Sequence, residues 1–151
     1  MITFTKVALP FGWLGNMSPY PVTYKGQIWR TTEALFQAMR FENETIKELI
    51  RAEKSPMGAK MKAKKHKAEM VITPMSAQDV ENMKTCLQLK VEQHPVLKIK
   101  LKSTRDRVIV EDIGKRKGQR HLFWGAKIQD GQPIGENTLG KLWMALREEL
   151  Q

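Results

Sequence analysis

Between residues 31 and 95 the chain carries a succession of helix starts, each marked by a side chain able to accept from an exposed backbone N–H, and this makes the fold predominantly helical. Thr32 is placed to cap a segment over residues 33–41. Asn43 is placed to cap a second from Glu44, and Ser55 followed by Pro56 gives a third its cap and its first-turn proline. Ser76 with Asp79 three residues on has the form of a capping box, and Val80, Met83, Leu87 and Val91 recur behind it at helical spacing. His94-Pro95 ends this fourth helix. Residues 97–102 alternate like a strand, yet Val96, Leu97 and Leu101 also share a helical face, so local pattern leaves both open. A final amphipathic helix follows Asn137-Thr138, with Leu139, Leu142, Trp143, Leu146 and Leu150 on its apolar face.

The rest is extended. Residues 2–6 alternate, and Val22-Thr23-Tyr24 and Gln27-Ile28-Trp29 flank Lys25-Gly26, a two-residue hairpin turn. Residues 107–111 are β-branched and short, and residues 121–124 form another candidate strand. No internal repeat, low-complexity tract or Pro/Gly/Ser linker divides the 151 residues. The expectation is an α+β fold, a mostly helical single domain with about five or six helices around a small antiparallel sheet.

Charge and cysteine content narrow the function classes. Lys and Arg number 26 against 16 acidic residues, a formal charge of +10, which favours anionic partners such as nucleotides, sugar phosphates or nucleic acid. The single Cys86 cannot form an internal disulfide, so the chain reads as cytoplasmic. Charged residues interrupt every apolar stretch well short of the roughly 20 residues a spanning helix needs, so no membrane partner is expected. His66, His94 and His121 lack metal-site spacing, and neither a Walker loop nor a GxGxxG motif occurs. No metal and no cofactor are expected.

Glu33 falls in the first turn of its helix, where the backbone dipole favours a carboxylate whether or not it does chemistry. Glu111 ends a strand and reads equally as a surface residue. Trp124-Gly125, before the Gly-rich residues 131–137, suggests an aromatic platform beside a close-approach loop, with a core Trp as the plainer reading. Lys60, Lys62, Lys64, Lys65 and Lys67 spread around a helix rather than along one stripe, so no narrow nucleic-acid stripe is defined and a solvated face and a phosphate site fit equally.

The order of these signals along the chain resembles the NADAR/YbiA-like family, which is similar in sequence to riboflavin-associated N-glycosidases. The resemblance runs through GNMSPYPVTYKGQIWRTTEALFQAMRF (15–41), SPMGAKMKAKKH (55–66), MKTCLQLKVEQHPVLKIKLKST (83–104), VIVED (108–112), WG (124–125) and GENTLGKLWMALREEL (135–150). It places Asn16, Glu33 and Gln37 on the Asn, Glu and Gln of the family's first motif, Glu111 on its "L-V-E", and Gly135, Asn137, Leu139, Gly140, Lys141 and Arg147 on its last. It also implies a helix over 96–103. Two positions depart from the pattern: Ala34 stands where a His is common, and Met75 where a Trp is usual.

The resemblance implies an enzyme that hydrolyses a ribose C1′–N bond. Glu33 would stabilise the oxocarbenium-like state, with Glu111 as a second acid. Trp124, beside Gly125, would stack the base, Asn16, Gln37 and Asn137 would hold the substrate, and Arg40, Lys64 or Arg147 would meet a phosphate. Two substrates fit: a phosphorylated ribosylamino-pyrimidine intermediate of riboflavin synthesis, or ADP-ribosylated guanine in nucleic acid. The alternatives are a non-catalytic ADP-ribose or nucleic-acid binding module, or a structural helper protein.

Overall fold

A computed structural model describes all 151 residues, and the chain divides into two compact units, Asn16–His94 and Met1–Gly15 joined with Pro95–Gln151. Seven α-helices and six three-residue strands give the α+β class expected from the sequence. The strands form three separate two-stranded ribbons rather than one small antiparallel sheet, and one ribbon is parallel.

The unit Asn16–His94 begins with the expected hairpin, β2 (Val22–Tyr24) and β3 (Gln27–Trp29), whose turn residues Lys25 and Gly26 both take positive φ (49° and 79°). Four helices follow: α1 (Thr32–Ala38), α2 (Glu44–Ala52), α3 (Pro56–Lys65) and α4 (Ala77–Gln93). Asn43, Ser55 and Ser76 cap α2, α3 and α4 as their side chains predict. The cap of α1 differs from expectation. Thr31, in extended conformation, accepts from the Ala34 N–H at 3.1 Å, while Thr32 is already the first helical residue. A capping oxygen reaches only the N–H two or three positions on, so Thr32 is one residue too late. Leu35, Phe36, Phe41, Ile50 and Leu87 form the core of this unit.

The second unit pairs the first strand, β1 (Ile2–Phe4), in parallel with β4 (Ile109–Glu111), Ile2 opposite Ile109 and Phe4 opposite Glu111. Residues 96–103 lie within α5 (Pro95–Ser103), the helical alternative, with Leu97 and Leu101 fully buried. Residues 121–124, read from sequence as a strand, belong instead to a short helix, α6 (Gln119–Trp124). Aromatic β-propensity depends on context, and here Gly118 at φ 109° opens a helical turn that the bond from Gly125 N–H to the His121 carbonyl closes. The Gly-rich stretch folds into a hairpin, β5 (Lys127–Gln129) and β6 (Gln132–Ile134), turning at Asp130-Gly131.

The closing helix, α7 (Thr138–Glu149), buries Leu139, Trp143 and Leu146. Trp143 is the largest fully buried side chain, and its indole N–H donates to the Leu14 carbonyl at 3.0 Å. Gly140 lets α7 lie directly on β4, since a Cβ there would sit 2.2 Å from the Ile109 carbonyl oxygen. No helix is long and apolar enough to cross a membrane.

Candidate functional site

In the unit Asn16–His94 the candidate residues gather around the start of α1. The Asn16 carbonyl accepts the Glu33 backbone N–H at 3.1 Å, and its side-chain Oδ1 accepts the Thr32 hydroxyl at 2.9 Å. The Asn16 amide nitrogen approaches the Met83 sulfur at 3.0 Å. Asn16 is therefore a buried tie that holds the first turn of α1 in place, and the Glu33 side chain, half-buried, leaves from that turn.

Gln37, one turn later, donates from Nε2 to Glu33 Oε2 at 3.3 Å, and its Oε1 accepts from Arg40 Nη1 at 3.2 Å. Arg40 was expected to meet a phosphate. Its guanidinium instead turns inward and forms a two-point pair with Asp79, Nε to Oδ1 at 2.9 Å and Nη2 to Oδ2 at 2.8 Å. Arg40 also lies over the Phe36 ring, 4.6 Å from its centroid. Burial of an Arg this deep requires a carboxylate partner, and Asp79 is fully buried to supply it. Lys64, on α3, is exposed.

The sequence reading did not reach Asp79 as more than a capping residue. Its backbone N–H does donate to Ser76 Oγ, at 3.3 Å, but its carboxylate also accepts from Met75 N–H at 2.9 Å, at a residue held at φ 67°. Nor did it single out Lys90. Its amine donates to Ser18 Oγ at 2.8 Å, both residues being inaccessible, and burial pushes the amine down from its usual 10.5 to about 7. A visible signal existed: Lys90 falls seven residues after Met83, among Met83, Cys86, Leu87 and Val91 on the buried face of α4, which Asp79 and Asn82 share nearer its start. Cys86 lies on the same face. Burial, followed by the charges of Glu33 and Asp79, pushes its thiol far above the usual range, so it stays protonated and unreactive.

Glu111, Trp124, Gly125, Asn137 and Arg147 belong to the other unit. Asn137, at φ 53°, brackets β4 with its side chain: Oδ1 accepts the Glu111 N–H at 3.0 Å and Nδ2 donates to the Ile109 carbonyl at 2.9 Å. Both ends of its amide thus complete strand bonds rather than facing outward. Gly125 meets the same strand, because a Cβ would lie 2.6 Å from the Glu111 carbonyl oxygen. Trp124 is 9% exposed and packs edge-on to Phe123 at 5.0 Å between centroids. Glu111 itself is half-buried.

Arg147, the other expected phosphate ligand, donates from Nη1 to the Thr104 hydroxyl at 3.0 Å and to the Arg107 carbonyl at 2.8 Å, joining α7 to the end of α5. Asn137→Ala is expected to lose about 2 to 3 kcal/mol of stability, since two buried strand groups lose their partners and Ala disfavours the left-handed backbone. Urea denaturation checks this; an unchanged midpoint would return Asn137 to a purely ligand-holding role.

One further groove, about 290 Å³, lies beside the hairpin and is lined by Tyr24, Trp29, Met39, Glu44 and Lys47 among others, none of them a candidate from the sequence. The buried Trp29 indole N–H has no hydrogen-bond acceptor. No three His, Cys, Asp or Glu side chains gather closely enough to hold a metal ion.

Known proteins bear directly on this geometry. The chain is 31% identical over 150 residues to N-glycosidase YbiA of Escherichia coli and of Shigella sonnei, covering 99% of this chain and 88% of each relative. An N-glycosidase of Nostoc punctiforme is 27% identical over 99% of this chain and 92% of its own length. A riboflavin biosynthesis protein of Vibrio vulnificus is 28% identical over 93% of this chain, which corresponds to 36% of that longer protein. The NMR structure of E. coli YbiA superposes with a TM-score of 0.79 at 31% identity, covering 99% of this chain and 83% of that one. The NADAR domain matches residues 3–151, and the chain belongs to the NADAR domain family.

Proposed function

We propose that the chain is a hydrolase acting on an N-glycosyl bond, cleaving ribose C1′ from a nitrogen base with Glu33 as the essential carboxylate. The observation that carries the reading is the half-buried Glu33 carboxylate, held by a donor from Gln37 and set on a turn fixed by Asn16, in a family whose relatives are named N-glycosidases. As the C1′–N bond breaks, its electron pair leaves with the base nitrogen, which takes up a proton, and positive charge grows on the sugar. A fixed carboxylate stabilises that charge. It also accepts a proton from the water whose oxygen bonds to C1′.

The substrate we favour is a phosphorylated ribosylamino-pyrimidine, supported by the similarity to a riboflavin biosynthesis protein. A second reading, ADP-ribose on guanine in nucleic acid, is favoured by the net charge of +10, since a polyanion gains most from it. Incubation with each compound, followed by chromatography of the free base, tests both. Release from the pyrimidine nucleotide alone supports the first, and release from the modified oligonucleotide alone the second. Release from neither contradicts the hydrolase reading.

A further inference from the structure

We propose that Asp79 is a positioning residue for Glu33, acting through Arg40 and Gln37; this rests on the reading of Glu33 as the essential carboxylate. The chain of contacts has a direction imposed by chemistry. A guanidinium has only donors, so the Gln37 side chain must turn its carbonyl oxygen to Arg40 and thereby its NH₂ to Glu33. Were Arg40 free to swing away, the Gln37 amide could reverse and present a carbonyl to the carboxylate, a repulsive contact.

Asp79 prevents that. Its two-point pair holds the guanidinium in one plane at 2.8 and 2.9 Å, and the Phe36 ring supports one face of it at 4.6 Å. The Arg40 backbone is also anchored, because its carbonyl accepts the Val71 N–H at 2.8 Å. Asp79 is in turn fixed by the Met75 N–H at 2.9 Å and by its place in the first turn of α4. The exposed Arg51–Glu48 pair has the same two-point geometry, 2.8 and 2.7 Å, so burial rather than geometry sets the Arg40–Asp79 pair apart. Here both partners are buried, so the pair is worth little as net stability but fixes orientation strictly. The set lies wholly in the unit Asn16–His94, so the positioning of Glu33 is a local property of α1 and α4.

The test measures kcat and KM for Glu33→Gln, Asp79→Asn, Gln37→Leu and the double variant Gln37→Leu/Asp79→Asn, on whichever substrate the wild-type chain cleaves. The expected result is a fall in kcat of about tenfold for each of Asp79→Asn and Gln37→Leu with KM within about twofold, because orientation of the carboxylate matters most in the transition state. The double variant should fall no further than the worse single one, since both changes act through one contact. A merely structural Asp79 predicts independent losses that multiply to about a hundredfold.

Should Asp79→Asn fail to fold, as judged by its melting transition, Arg40→Lys replaces it. That variant keeps the charge and removes the planar fork, and the same tenfold loss is expected. Wild-type kcat in a folded Asp79→Asn or Arg40→Lys chain, or multiplying losses in the double variant, overturns the proposal. Near-wild-type turnover in Glu33→Gln overturns the reading of Glu33 together with it, and is told apart by that one variant.

Discussion

Glu33→Gln is expected to reduce turnover at saturating substrate by roughly a hundredfold or more while the fold persists. The substitution keeps shape and removes charge, so it separates two roles that sequence position alone confounds. A carboxylate in the first turn of α1 stabilises the helix by only a few tenths to about 1 kcal/mol, equivalent to a shift of a few degrees in melting temperature. Stabilising an oxocarbenium-like state and orienting water act in the transition state and are worth two or more powers of ten. Kinetics and thermal melting on one preparation give both numbers. If the variant keeps more than about a tenth of wild-type kcat, the role assigned to Glu33 is wrong, and Glu111 becomes the carboxylate to test.

Stability should depend on pH through Lys90 more strongly than through any surface group. In the folded chain burial holds this amine near 7, whereas in the unfolded chain it titrates near 10.5. Between those values the unfolded chain binds the proton and the folded chain does not, so stability rises with pH across this window. The gain is fully present above about 10.5, is lost progressively as pH falls toward 7, and is absent below 7. Its upper bound is about 4 to 5 kcal/mol. Other groups titrate in the same range, so the measurement is a difference: urea denaturation of wild type against Lys90→Met from pH 6 to 10. The wild type should gain on the variant by several kcal/mol between pH 7 and 10. Parallel curves would show that the amine is solvated, contrary to its burial against Ser18.

The helices were legible because their signals are local. Asn43, Ser55-Pro56 and Ser76 each announce a start through a bond made within three residues, and α2, α3 and α4 begin where those caps place them. The hairpin at Lys25-Gly26 was legible for the same reason. What failed depended on distant partners. The parallel pairing of β1 with β4 joins residues more than 100 positions apart, and no short pattern encodes it. Residues 121–124 misled because aromatic content stands in for burial, and the burial they meet is that of a helical turn.

The candidate site was legible in identity more than in role. Asn16, Gln37, Arg40, Asn137 and Arg147 were picked out through family resemblance as ligand contacts, and each has side-chain groups committed to the protein itself. Residue type cannot distinguish a group that holds a ligand from one that holds the group beside it, since both need the same donors and acceptors. Gly125 and Gly140 follow the same logic: each marks a place where backbone must approach β4.

The central claim, hydrolysis at C1′ of a ribose, is tested most directly by running the cleavage in ¹⁸O-labelled water and weighing both products. The released sugar is reduced with borohydride as it forms, so that its C1′ oxygen cannot exchange through the aldehyde. The account predicts that the sugar then carries one heavy oxygen at C1′ and that the base carries none, since the water oxygen bonds to carbon while the C1′–N electron pair leaves with nitrogen. Label in the base, or base release with neither product labelled, would contradict it.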